Sequence, residues 1–147
     1  AFRFADKKDV KTDYMLKFPG TGSLQYTLID PAEAAVDPTK VYELKLEDGC
    51  CPITEEMFEN DALIFDGGQI EEVWICHSDG TPYVGMECKG FPNFGIWSVK
   101  DAPFVCLEPW DGRCDNVGFV AELSEKPGVV KLDGGKKYEK QYTIVVG

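Results

Sequence analysis

A chain of 147 residues can bury one real core, and its makeup, 44% hydrophobic and 28% charged, is that of a globular protein. It contains no apolar run long enough to cross a membrane as a helix. With 26 acidic against 15 basic residues the net charge is −11, and Arg3 and Arg113 are the two arginines. Such a surface repels phosphate backbones and anionic lipid, so neither nucleic acid nor membrane is expected as a partner. The plainer account of the acidity is solubility.

In chain order, the opening Ala1-Phe2-Arg3-Phe4 reads as the inside of a strand rather than a secretory leader, so the chain is expected to be cut from something longer. Asp13 to Phe18 and Ser23 to Ile29 are strand-like runs joined by Pro19-Gly20-Thr21-Gly22, a hairpin-like connection. Pro31 to Pro38 is bracketed by prolines and reads as a loop or a single turn. From Val41 to Glu47, Tyr42, Leu44 and Leu46 alternate with charges, predicting a strand with one buried and one wet face. Thr54 to Phe58 predicts one helical turn capped by Thr54. Val73 to Cys76 and Tyr83 to Cys88 flank Ser78-Asp79-Gly80-Thr81, a strong hairpin signal. Gly95 to Val99 and Phe104 to Leu107 form a second pair, and Val129 to Leu132 with Tyr138 to Val146 a third. Short strands separated by frequent turns predict an all-β sandwich over residues 1–147.

The six cysteines, Cys50, Cys51, Cys76, Cys88, Cys106 and Cys114, lack zinc-site spacing, and His77 is the single histidine. Most lie in apolar strand-like runs, which fits buried free thiols in a reducing compartment and hence a cytoplasmic protein. His77 ends a strand beside a turn, with no acid or cysteine cluster around it, and is expected to face solvent.

Candidate chemistry therefore falls to carboxylates and indoles. Phe104 to Leu107 is apolar on both faces, as in a strand covered on each side, and Glu108-Pro109-Trp110 follows at once. This puts a carboxylate at the mouth of a sheet beside an indole, a setting suited to taking a proton. A strand-end glutamate pointing into water is the competing reading. Trp110 offers a flat face of the kind sugar C–H surfaces rest on. Asp61 begins the apolar run Ala62 to Phe65 and is either a hydroxyl acceptor or a turn aspartate.

Taken in order, Ala1-Phe2, Pro52-Ile53-Thr54, Phe58 to Phe65, Gly90-Phe91-Pro92-Asn93-Phe94-Gly95-Ile96-Trp97-Ser98 and Ala102 to Trp110 resemble the C-terminal half of the aldose 1-epimerase (galactose mutarotase-like) family. Gly128 to Val146 resembles that family's closing hairpin. The resemblance implies a large twisted β-sandwich binding a hexose such as galactose or glucose, and interconverting its anomers without a cofactor or metal. It gives Glu108 the role of general base and Asp61 that of hydroxyl partner, with Trp110 and Trp97 as wall residues. The family's acid is a histidine in a His-Pro-Ala-Phe-like stretch. It would precede Ala1, so this chain is expected to be inactive alone and to self-associate or pair with a missing N-terminal half. A non-catalytic carbohydrate-binding sandwich and a hexose-6-phosphate epimerase are the alternative readings.

Overall fold

In the computed structural model, which describes residues 1–4 and 8–147, the chain is built from short strands and three single 3-10 turns. The strands are β1 (Phe2–Arg3), β2 (Tyr14–Lys17), β3 (Ser23–Tyr26), β4 (Ile29–Asp30), β5 (Ala35–Val36), β6 (Tyr42–Lys45) and β7 (Cys50–Pro52). They continue with β8 (Leu63–Asp66), β9 (Glu72–His77), β10 (Pro82–Glu87), β11 (Asn93–Trp97), β12 (Phe104–Trp110) and β13 (Thr143–Val146). A four-stranded sheet runs β1-β12-β11-β8 and a five-stranded sheet β13-β10-β9-β2-β7, with β3-β6 and β4-β5 as small ribbons. Every pairing between these strands is antiparallel. Among the described residues no helix is long and apolar enough to cross a membrane.

Both large sheets contribute to one core. Leu63, Phe65, Phe94, Ile96, Val105 and Leu107 from the first meet Tyr14, Leu16, Val73, Ile75, Val84 and Met86 from the second, all buried. Strand alternation then decides everything else about the four-stranded sheet. Because odd positions of β12 and even positions of β11 point inward, Cys106, Glu108 and Trp110 share the opposite face with Asn93, Gly95 and Trp97.

The predicted pairs at Asp79-Gly80 and Lys100 to Pro103 are the β9–β10 and β11–β12 hairpins. The predicted turn is also there: Glu56–Phe58 is a 3-10 turn and Thr54 Oγ1 accepts from Met57 N–H at 3.2 Å. Four of the six free thiols are buried.

Other expectations are corrected. The runs flanking Pro19 to Gly22 do not pair with each other: β2 joins the five-stranded sheet while β3 pairs β6. Phe18 N–H instead donates to the Gly49 carbonyl at 2.7 Å, and a Cβ at Gly49 would sit 2.7 Å from the Phe18 carbonyl, so the close approach requires glycine. The Pro31 to Pro38 stretch contains β5 beyond its turn. On β6 only Leu44 is half-buried, with Tyr42 44% exposed. Val129 to Leu132 forms no strand among the described residues, and the closing element is β13 against β10. His77 is half-buried rather than solvent-facing, its ring centroid 5.0 Å from Tyr14 and 5.8 Å from Tyr83.

Candidate functional site

Glu108 does not end its strand. β12 runs on to Trp110, and Glu108 pairs with Gly95 in the ladder. Pro109 is tolerated there because β1 pairs only with Phe104 and Val105, leaving the outer edge of this stretch uncovered among the described residues. Glu108 is half-buried, and its Oε2 accepts from Trp110 Nε1 at 3.2 Å. That bond bends the indole back over Gly95, where a Cβ would overlap Trp110 Cζ2 and Cη2. The glycine is what lets the indole lie flat beside the carboxylate. Glu108 also meets the Cys106 thiol. Burial pushes that thiol up, and the Glu108 carboxylate adds to it.

Trp97 pairs with Cys106, one row along the same face, and its ring centroid lies 6.1 Å from that of Phe104. It also walls a cleft of about 450 Å³ between Phe58-Glu59-Asn60-Asp61 and Ser98-Val99-Lys100, closed at one end by Ile29 and Pro31. That volume lies within the range of small-molecule sites. Asp61 is exposed on this cleft in a left-handed conformation, φ 73°, and turns the chain into β8. Its Oδ1 accepts from Ala62 N–H at 2.7 Å, so the turn role is real. Glu108 and Trp110 do not line this cleft; Trp97 joins the two areas. Strand geometry puts the Cα atoms of Glu108 and Asp61 on the order of 14 Å apart.

The far side of the face is closed. Val36, Ala62 and Ile64 form a small apolar cluster with Ile29, Trp97, Trp110 and Cys114 packed on it. Val36 is held to the chain beyond β12 by hydrogen bonds from its N–H to Asp115 (2.9 Å) and from Val117 N–H to its carbonyl (2.9 Å). Here Arg113 grips Asp66 with two nitrogens, Nε to Oδ1 at 2.8 Å and Nη2 to Oδ2 at 2.9 Å. This pair was not foreseen from the sequence. The scarcity of arginine was its only signal, because its members lie 47 residues apart.

Among the described residues no group of three or more histidines, cysteines or acids is arranged to hold a metal.

The architecture is the galactose mutarotase-like fold, with a carboxylate-and-indole face on one sheet. Two solved structures share it. One is a galactose mutarotase related enzyme from Lactobacillus acidophilus, which has a TM-score of 0.84 and 22% identity, covering 99% of this chain and 49% of that one. The other is a galactose mutarotase-like protein from Lactobacillus casei, with a TM-score of 0.68 and 21% identity over 91% of this chain and 45% of that one. Among curated proteins, the chromosomal LacX protein of Lactococcus lactis subsp. lactis is 28% identical over 91 residues, 61% of this chain and 30% of the relative. Its plasmid counterpart matches equally. No protein-family model matches the chain. The chain spans about half the length of the solved structures it matches. The resemblance read from the motifs is borne out at the level of the fold, as is the all-β class.

Proposed function

We propose that this chain is the base-bearing half of an aldose 1-epimerase-like enzyme, acting on a hexose of the galactose or glucose type. One observation carries the reading. Glu108 is half-buried between the Trp110 N–H (3.2 Å) and Cys106, on the face that leads through Trp97 into the cleft edged by Asp61. The span between Glu108 and Asp61 suits two side chains with a pyranose ring between them.

Opening a hemiacetal needs a proton taken from the anomeric hydroxyl and one delivered to the ring oxygen. Glu108 takes the first. The Trp110 N–H, held on Oε2, steadies the carboxylate. Asp61 accepts from hydroxyls, and Trp97 and Trp110 bound the ring's apolar surface. After rotation about C1–C2, the same groups close the ring on the other carbonyl face. Acid–base assistance from two placed groups contributes about 10²–10⁴-fold each, and this chemistry calls for no redox cofactor. The acid belongs to a segment outside this chain. His77 is excluded because it sits on the five-stranded sheet, packed against Tyr14 and Tyr83. We further propose that the chain works as part of a longer domain, its uncovered β12 edge paired with that segment or with a second copy. The free thiols fit a cytoplasmic setting. A hexose 6-phosphate is disfavoured, since Arg113 is engaged by Asp66.

The test is polarimetry of freshly dissolved α-galactose and α-glucose. It uses a polypeptide that carries this chain within the length of its relatives, as wild type and as Glu108→Gln. Fast equilibration by wild type and loss in the variant supports the reading. Equilibration no faster than buffer in both overturns it, and sugar binding retained in that case favours a non-catalytic carbohydrate-binding sandwich.

A further inference from the structure

Lys11 is the one charged side chain fully buried among the described residues, with none of its side-chain surface exposed. Its Nζ donates to Glu55 Oε2 at 2.8 Å and to the Val99 carbonyl at 2.5 Å. Glu55 Oε2 also accepts from Asp101 N–H at 3.3 Å. Burying an ammonium is costly unless it is paired and hydrogen-bonded, and an apolar side chain of similar volume would fill the space at less cost. Its partners, then, explain the lysine better than its volume does.

Those partners belong to the two walls of the cleft. Glu55 immediately precedes the 3-10 turn Glu56–Phe58 that delivers Phe58 to Asp61. Val99 lines the opposite wall, and Asp101 lies just beyond it, after Trp97. Lys11 stands on neither wall; it comes from the turn before β2, which belongs to the other sheet. We propose that Lys11 is a positioning residue: through Glu55 and the Val99 carbonyl it buckles the two walls together and fixes the gap between Asp61 and Trp97. Its structural part stands on these bonds alone, and its effect on sugar rests on the function proposed above. Lys11 beside it, with the Asp101 N–H and Lys100, holds the Glu55 carboxyl below its usual range, as an engaged carboxylate should be.

Hydrogen exchange on this chain tests the buckle without any sugar. In Lys11→Met, amides of Met57 to Ala62 and of Asp101 and Ala102 are expected to exchange at least about tenfold faster together, while the β9–β10 hairpin is unchanged. Glu55→Gln keeps an acceptor for Lys11 and loosens both segments less; Glu55→Ala loosens them more. These two carry the test if Lys11→Met fails to fold. Loosening of one wall alone, or of the whole molecule equally, overturns the proposal. In the longer polypeptide, Lys11→Met is expected to raise KM for galactose about tenfold with kcat within twofold, and Lys11→Arg to restore part of it. If both walls loosen while KM stays fixed, the buckle stands and the cleft is not where the sugar binds.

Discussion

Two stretches of this chain share one local recipe, a glutamate, one intervening residue and a tryptophan set against a glycine of the next strand. In Glu72-Val73-Trp74 the indole lies on Gly85 and its Nε1 donates to Glu72 Oε1 at 2.6 Å. In Glu108-Pro109-Trp110 the indole lies on Gly95 and donates to Glu108 Oε2 at 3.2 Å. The two differ in register and in company. Trp74 sits directly across from Gly85 and belongs to neither apolar cluster, whereas Trp110 is paired with Asn93, reaches back over Gly95 and packs on the Val36–Ala62–Ile64 cluster. The first is a tryptophan shielding glycine backbone on the outward face of the five-stranded sheet, outside both apolar clusters. The second is walled by the β4–β5 ribbon and leads toward a cleft. An acid beside an indole is thus not a site by itself; what closes over it makes the difference.

The largest expected effect separates the two glutamates by activity. In a polypeptide of the relatives' length, Glu108→Gln is expected to lower kcat for anomer exchange by about 100-fold or more, and Glu72→Gln to leave it within about twofold. Polarimetry reads both. Equal losses would show that the two acids act through stability and that the comparison has no functional content.

Next come the glycines, read by urea denaturation. A Cβ at Gly95 would overlap the Trp110 ring, which is packed on its far side and cannot swing away freely, so Gly95→Ala is expected to cost about 2–3 kcal/mol. At Gly85 the added Cβ would meet Trp74 Cδ2 and Cε3 at 2.6 Å, but that ring belongs to no packed cluster, and about 1 kcal/mol is expected. A larger loss at Gly85 would mean that the Trp74 ring is held as firmly as that of Trp110.

The ladder contacts explain why one half of this comparison was legible in the sequence and the other was not. Local signals were strong where the partner strand is next in the chain. The Asp79-Gly80 turn announces β9–β10, and the apolar run from Phe104 announces a strand covered on both sides. Glu108 and Asp61 could be singled out because each adjoins such a run. Pairings made at long range left no trace: β2 with β9 and β7, β3 with β6, Arg113 with Asp66, and Lys11 with Glu55 and Val99. Each joins segments whose separate compositions say nothing about one another. Val129 to Leu132 shows the converse, a β-rich run that forms no strand among the described residues.

The smallest effect concerns two cysteines on the same sheet faces as these indoles. Cys106 lies two residues before Glu108 and Cys76 two after Trp74, both buried and both on the outward faces. Burial pushes each thiol above the usual 9, and Lys17 partly opposes this at Cys76. Near pH 8 both are therefore protonated and slow toward a maleimide, with rates that climb about tenfold per pH unit up to and beyond 9. Half-exposed Cys50 and Cys114 should label first. Saturating galactose is then expected to slow labelling of Cys106 several-fold while leaving Cys76 unchanged, because a sugar seated against Glu108 covers the one thiol and not the other. Peptide mapping of the labelled chain separates the two sites. Equal protection would mean that the sugar acts by tightening the whole sandwich, and no protection at Cys106 would move the sugar away from Glu108.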